Sequence, residues 1–423
     1  MYALADCNNF FVSCERIFRP DLWNKPVLVL SGNDGCVISR SNEVKALGIK
    51  MGAPYFQISG LVAQYGITCF STNFALYGDI STRVMSILRR HTFRMEQYSV
   101  DEGFFSVEHI PLEQRRTYCE QIVKEVYQGV GIPISIGIAR SKTLAKVASK
   151  YAKKYPGYHG ACMIDTDRQR QIALENFEIG DVWGIGRKAR AKLETVGIKT
   201  AWEFATKREE FARNLLHKPG MLTWRELNGV DCIDTSEVVA KQSISYSRTF
   251  ATGISDLTLL EQQLANFCDS CARKLRLQHS VCSQMMIYAY TSRFRTDIMP
   301  CYLSQTVKLP VPTANTQELL AAALSILRTQ FTPGVMYKKA GVVLMQIQPD
   351  KAVLTDLFDN RDREKDNRLQ QTLDTIRDKC GSNSILLGPQ LQSAEMEKTA
   401  IYKAENRSPL YTTDLAQILR VKA

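Results

Sequence analysis

At 423 residues the chain is too long for one compact core, and two to four domains are expected. With 45% hydrophobic and 23% charged residues it has the composition of a globular protein, and a formal charge of +11 favours a polyanionic partner over an acidic one. No apolar run approaches the roughly 20 residues of a membrane span, and Met1 to Phe11 has no basic leader and carries Asp6 inside its apolar stretch, so neither a membrane protein nor a secreted one is expected.

The twelve cysteines are scattered rather than densely spaced, which points to a reducing cytoplasm. Cys268 and Cys271 form a CxxC inside the helical period of Leu257 to Leu277. With no second pair and no spaced histidines, they read as helix packing rather than as a zinc or redox site.

Taken in order, Tyr2 to Ala5 is a short apolar strand stopping at Asp6, before Asn8-Asn9 and Phe10-Phe11. Lys25 to Leu30 is a second strand, Asn33-Asp34-Gly35 a turn, and Cys36 to Ser39 a third strand. Ser41 to Gly48 reads as a short capped helix ended by glycine, a possible phosphate site. Ala75 to His91 has helical period. Arg94 to Val100 and Gly103 to Val107 are β-prone runs that bracket the adjacent acids Asp101 and Glu102. Both acids can serve one site only if the chain turns there, because neighbours on a regular strand face opposite sides. Pro111 to Gly129 is a further helix and Ile132 to Ala139 a further strand.

This order is the split βαββαβ pattern of a ferredoxin-like sheet, with Pro20 to Phe70 as an inserted or added subdomain. With the first two strands side by side at the sheet centre, Asp6 would lie near Asp101 and Glu102. An Asp-Glu pair alone is an ordinary hairpin tip. Three converging carboxylates repel one another unless cations hold them, and hard oxygen ligands suit Mg²⁺.

Ser141 to Lys154 is a basic amphipathic helix whose lysines read mostly as a solvated face. Gly184-Ile185-Gly186 opens a helix that Gly197-Ile198 closes before another begins, the pattern of a helix-hairpin-helix. In such a motif backbone amides grip a DNA phosphate, here at Gly184 and Gly186 with Arg187 and Lys188 adding charge. From Lys241 to Pro349 there are 11 Lys and Arg against 5 Asp and Glu, over strands Ser243 to Phe250, Met285 to Tyr290, Thr306 to Leu309 and Gly341 to Ile347 and helices Leu257 to Leu277 and Thr316 to Phe331. That is a separate αβ domain with a basic face. Beyond Pro349 the chain turns polar, with residues 360 to 368 as its clearest solvated stretch, and reads as a partly disordered, partner-facing tail.

The runs Asp6-Cys-Asn-Asn-Phe-Phe11, Asn33 to Gly52, Tyr98-Ser-Val-Asp-Glu102 and Val182-Trp-Gly-Ile-Gly-Arg187 together resemble the Y-family DNA polymerases, and the resemblance extends over nearly the whole chain. It implies an α+β fold: a ferredoxin-like palm with fingers (residues 1–165, fingers about 20–75), a helix-hairpin-helix thumb (166–235), a little finger (240–349) and a partner-binding tail (350–423). By the same resemblance Asp6, Asp101 and Glu102, with the Cys7 carbonyl, would bind two Mg²⁺ ions. Phe11 would be the steric gate that excludes a ribose 2′-hydroxyl, and Ser39, Asn42, Lys45 and Lys153 would contact the incoming dNTP. Asn42 and Lys45 stand where most of the family has Tyr and Arg, and a lysine lacks the forked contacts of an arginine.

Leu354 to Phe358 resembles a sliding-clamp peptide without its leading Gln, with Leu357 and Phe358 as the pocket-filling pair. Implied partners are primer-template DNA, UmuD′-like accessory subunits, a recombinase filament and the clamp. The expected activity is error-prone translesion synthesis in the SOS response to DNA damage. Two rival readings are a palm-fold nucleotide cyclase, which would need no DNA grip, and a non-catalytic DNA-binding repair subunit, which would not need all three acids.

Overall fold

The alternating pattern of Tyr2–Cys7 gives strand β1 two different faces. Ala3, Ala5 and Cys7 point into one core and Leu4 into another, which leaves Asp6 on the Leu4 side. In the computed structural model, which describes residues 1–235, 240–295, 297–352, 359, 361–381, 384–390 and 403–419, β1 is followed by α1 (Phe10–Ile17). An inserted block comes next: β2 (Val27–Leu30), β3 (Val37–Arg40), α2 (Asn42–Ala46), α3 (Tyr55–Gln64) and β4 (Thr68–Ser71). The chain then runs through α4 (Phe74–Arg90), β5 (Met95–Gln97), β6 (Glu102–Ser106), α5 (Arg115–Val130), β7 (Ile134–Ala139), α6 (Lys142–Lys154) and β8 (Ala161–Ile164).

The main sheet has the order β5-β6-β1-β7-β8, which is the ferredoxin-like arrangement with β8 added at one edge. The expected adjacency of the first two strands of that list is corrected here, because β1 pairs with the third, β6, while three-residue β5 takes the edge. The α4 crossover delivers β5 to the edge, and the turn that follows folds β6 back between β5 and β1. The inserted block forms its own sheet, β3-β2-β4, around Leu28, Leu30, Val37, Val44, Ile49, Ile58 and Ile67.

Helices α1, α4 and α5 cover the Ala3 face of the main sheet, and α6 covers the Leu4 face. Helix α6 approaches β7 so closely that a Cβ on Gly137 would lie 2.0 Å from the Ala145 carbonyl oxygen. After β8 come α7 (Asp167–Glu175), α8 (Arg187–Thr195), α9 (Ala201–Ala205) and α10 (Glu209–Leu227). Capping boxes at Thr166/Gln169 and Thr200/Glu203 fix the starts of α7 and α9.

The chain divides into two compact units, Met1–Val238 with Asn406–Ala423, and Val239–Glu405. The second unit is an antiparallel sheet of β9 (Ile244–Ile254), β10 (Ser280–Tyr290), β11 (Tyr302–Thr313) and β12 (Tyr337–Pro349) in the order β11-β10-β12-β9. Helices α11 (Leu257–Leu277) and α12 (Thr316–Gln330) complete its core. Cys268 and Cys271 are fully buried in α11, and burial pushes the Cys271 thiol up to about 12, as expected of packing residues.

The tail departs from expectation. Arg363–Cys380 is a helix, α13, docked on the second unit by Arg276–Asp374 at 2.6 Å, Arg377–Asp269 at 3.0 Å and a Thr316–Gln370 hydrogen bond. Its anchors are polar, so no apolar stripe announced it. Residues 406–419 return to the first unit, where Ser71 forms a parallel bridge with Arg407.

Candidate active site

Register does most of the work of assembling the acids. Asp6 lies directly opposite Glu102 across the β1–β6 pair, and the Cys7 amide donates to the Asp101 carbonyl at 2.9 Å. The turn that brings Asp101 round is made by Ser99. Its hydroxyl accepts from the amides of Asp101 and Glu102 at 3.2 and 3.0 Å and donates to the Asp101 carboxylate at 2.6 Å. The sequence offered Ser99 as one more polar turn residue, and its role was missed.

Burial raises the pKa of Asp6; Lys153 opposes that shift, and the charges of Glu102 and Asp101 add to it. Two lysines of α6 stand at the acids, Lys153 Nζ 2.6 Å from Asp6 and Lys146 Nζ 2.8 Å from Glu102. Lys146 also lies over the rings of Tyr98 and Trp183, at 4.6 and 5.5 Å, and the Trp183 indole donates to the Tyr98 hydroxyl. A cavity of about 190 Å³ opens beside these groups, with Asp6, Glu102, Lys146, Lys150, Asp181 and Trp183 in its walls. The α6 lysines are therefore only partly the solvated face expected from sequence. Lys142 is 1% exposed, bonded to Glu96 at 2.6 Å, to Thr235 and to the Ile233 carbonyl. The buried Glu96 and the half-buried Glu102 draw one edge of the helix inward.

Around α1 and α2 a second group of predicted residues gathers. Lys45 Nζ donates to Asn9 Oδ1 at 2.6 Å and to Asn42 Oδ1 at 3.3 Å, and Asn9 Nδ2 donates to Asn42 Oδ1 at 3.1 Å. Burial and the nearby cations Lys153 and Arg40 push the Lys45 ammonium pKa down. Asn9, in the left-handed region at φ 50°, was not singled out in the sequence. An asparagine immediately before an apolar helix, tolerant of that conformation, was the available signal. Buried Ser39 donates to the Asn9 carbonyl at 3.4 Å and receives the Val12 amide. Half-buried Phe11 stacks on Tyr77 (centroids 4.6 Å, 19°) and meets Phe74 edge-on at 6.1 Å.

Farther along, Gly186 caps α8 with no side-chain partner, and Arg187 and Lys188 are exposed on its first turn. Gly184 has φ 88°, and a Cβ there would sit 2.5 Å from the Thr223 hydroxyl, so glycine is required for the hairpin. Leu357 and Phe358 lie outside the described residues.

Among the described residues no three His, Cys, Asp or Glu side chains stand ready-made around an ion. The donor set nonetheless fits hard divalent cations: the carboxylates of Asp6 and Glu102 lie at paired positions of adjacent strands, that of Asp101 accepts from the Ser99 hydroxyl beside them, and ammonium groups balance the first two.

Residues 5–150 match the impB/mucB/samB family, residues 241–357 match the C-terminal domain of that family, and residues 367–421 match a domain of unknown function. The chain belongs to the impB/mucB/samB family. It is 37% identical to Protein ImpB of Salmonella typhimurium over 98% of this chain and 97% of that one. It is 36% identical to Protein UmuC of Salmonella typhimurium (strain LT2) over the full length of both. Identity to DNA polymerase IV 1 of Bacillus subtilis is 27%, covering 92% of this chain and 93% of that one. The fold is similar to that of a Y-family DNA polymerase chimera, Dbh-Dpo4(243-245)-Dbh, with a TM-score of 0.65 at 20% identity over 82% of this chain and 99% of that one.

Proposed function

We propose that the Asp6, Asp101 and Glu102 cluster is the centre at which this UmuC-like translesion polymerase joins a deoxynucleotide to a primer opposite a damaged base. The reaction is template-directed nucleotidyl transfer, in which the primer 3′-hydroxyl attacks the α-phosphate of a dNTP and pyrophosphate leaves. Primer-template DNA and the nucleotide are its substrates. The observation that carries the reading is the cross-strand register of Asp6 with Glu102, with Asp101 hydrogen-bonded beside it.

A divalent metal requirement comes with this class of enzyme. The finer reading is two Mg²⁺ held by Asp6, Asp101, Glu102 and the Cys7 carbonyl, which supply activation of the 3′-hydroxyl and neutralise the leaving pyrophosphate. Lys153, Lys45, Ser39 and Asn42 bind the triphosphate, the lysines as point charges. Phe11 closes the pocket against a 2′-hydroxyl. Gly184, Gly186, Arg187 and Lys188 hold a DNA phosphate without reading sequence.

In this reading residues 1–165 serve as palm and fingers, 166–235 as thumb, 240–349 as little finger and 350–423 as partner-binding tail. UmuD′-like subunits, a recombinase filament and the sliding clamp are the proposed partners, and the cytoplasm the proposed site of action. No helix among the described residues is long and apolar enough to cross a membrane.

The test is single-nucleotide incorporation opposite an abasic site with Mg²⁺, comparing wild type with Asp101→Ala, each with and without accessory proteins. Incorporation by wild type alone supports the reading. Equal incorporation by Asp101→Ala overturns the metal-site assignment, and no incorporation in any mixture shifts the reading to a DNA-binding repair subunit.

A further inference from the structure

The returning end of the chain touches the same two helices that carry Phe11 and its stacking partner. Ser408, 6% exposed, donates to Glu15 Oε1 at 3.1 Å, and the Tyr77 hydroxyl donates to that same oxygen at 2.7 Å. Glu15 lies on α1, four residues after Phe11, and Tyr77 lies on α4 with its ring flat against Phe11.

A second tie reaches the start of α4. Asn73 caps that helix by accepting from the Leu76 amide, and its Nδ2 donates to the Ser408 hydroxyl at 2.9 Å and to the Ser408 and Pro409 carbonyls at 3.1 Å. The next turn of α4 presents Phe74 and Tyr77 to Phe11. A third tie is the stack of Tyr411 on Phe18, just past the end of α1, with centroids 4.6 Å apart and planes 14° apart. The segment is joined to β4 by two hydrogen bonds, Ser71 N–H to the Asn406 carbonyl and Asn406 N–H to the Ser71 hydroxyl, each at 3.1 Å.

We propose that this C-terminal segment is a brace for the sugar-facing wall of the nucleotide site, with Ser408 acting through Glu15 and Asn73 to position Tyr77 and thereby Phe11. This gives the last part of the domain of unknown function a role in substrate selection. The inference rests on the reading of Phe11 as the gate. A rotation of Phe11 or Tyr77 away from the stack opens space next to the sugar, and a ribose 2′-hydroxyl needs only that space. The Ser408–Glu15–Tyr77 chain is buried, so its hydrogen bonds are shielded from water and hold the wall in one arrangement.

The experiment measures kcat and KM for dATP and for ATP opposite template T, on full-length Ser408→Ala, Tyr77→Phe, the double variant and Phe11→Ala. Tyr77→Phe keeps the ring and the stack and removes only the hydroxyl. The expected result is an about three- to tenfold loss of dATP-over-ATP preference in each of the two single brace variants, the scale of one lost hydrogen bond, arising from a rise in kcat/KM for ATP. The double variant loses no more than either single, because both cut one path. Phe11→Ala loses most of the preference. If Phe11→Ala keeps the preference, the gate reading fails. If Phe11→Ala loses it while Ser408→Ala and Tyr77→Phe keep it, the brace fails. Equal loss of dATP and ATP incorporation in Ser408→Ala and Tyr77→Phe assigns the segment to stability alone and also overturns the brace.

Discussion

Substituting Gly137 by alanine tests whether α6 is held in place by its closeness to β7. The added Cβ would meet the Ala145 carbonyl oxygen at 2.0 Å and the Ser149 amide nitrogen at 2.2 Å, where ordinary contact begins at 3.4 Å. Both obstacles are backbone, so no side chain can swing aside and the helix must retreat by about 1.4 Å. Overpacking of this kind costs roughly 1–3 kcal/mol, and in a unit of this size each kcal/mol lowers Tm by about 2–4 °C. The same retreat draws Lys146 from Glu102 and Lys153 from Asp6, and a displacement near 1 Å at a reacting centre costs about 100-fold in rate. Thermal melting together with single-nucleotide incorporation reads both effects. Gly78→Ala, at an exposed position of α4 with nothing within 4 Å, is the control and is expected to match or slightly exceed wild-type stability. A Gly137→Ala protein with unchanged Tm and a rate within twofold of wild type would refute the argument that this contact positions the lysines.

Other outcomes follow from the same geometry. Lys142→Met strands the buried Glu96 carboxylate and is expected to cost about 3–5 kcal/mol in denaturant unfolding. Burial works to raise the Glu96 pKa, but Lys142, Thr235 and Arg94 hold it below the usual carboxylate range. The stability it contributes is thus fully present above the unfolded value of about 4.3 and disappears as pH falls through the lower folded value, which an acid-unfolding curve will show as a loss confined to that window. Asp6 has the opposite sign, because its raised pKa makes the ionised form the disfavoured one in the folded protein. Asp6→Asn is therefore expected to raise Tm in metal-free buffer while lowering incorporation by orders of magnitude. Arg187→Ala and Lys188→Ala are each expected to weaken primer-template binding equally on all sequences and to reduce the salt slope of log K by about 1.

What could be read from the sequence was what local pattern controls. The run Tyr2 to Asp6, the paired acids, the period of Leu257 to Leu277 and the glycine punctuation of the hairpin each carry their structure within a few residues. Pairing is a different matter: that β1 lies against β6 and not β5 depends on a three-residue strand accepting the edge, which no periodicity records. Helix α13 escaped notice because Gln370 and Arg377 are its buried residues, and a polar stretch held by ion pairs looks the same as a solvated one. Lys142 illustrates the converse, a lysine on a basic helix face that is buried because Glu96 waits on a strand 46 residues earlier. At the site, the acids and Phe11 were visible as residue types at strand and helix ends. Ser99, Asn9 and Lys146 were not, because their roles rest on hydrogen bonds and ring contacts that exist only once the chain is folded.

The bridge between Ser71 and Arg407 also sets an order of events during synthesis. The first unit lacks its last segment until the ribosome has made the whole of Val239–Glu405, an interval of roughly 10–30 s at ordinary elongation rates. Throughout that time Glu15, Asn73 and Phe18 have no Ser408 or Tyr411 to meet, so the nascent first unit can form its sheet but cannot finish the packing around α1 and α4. A message cut short between codons 103 and 406 yields a chain holding Asp6, Asp101 and Glu102 without this closure. The packing around α1 and α4 is thereby finished only after the second unit has been made.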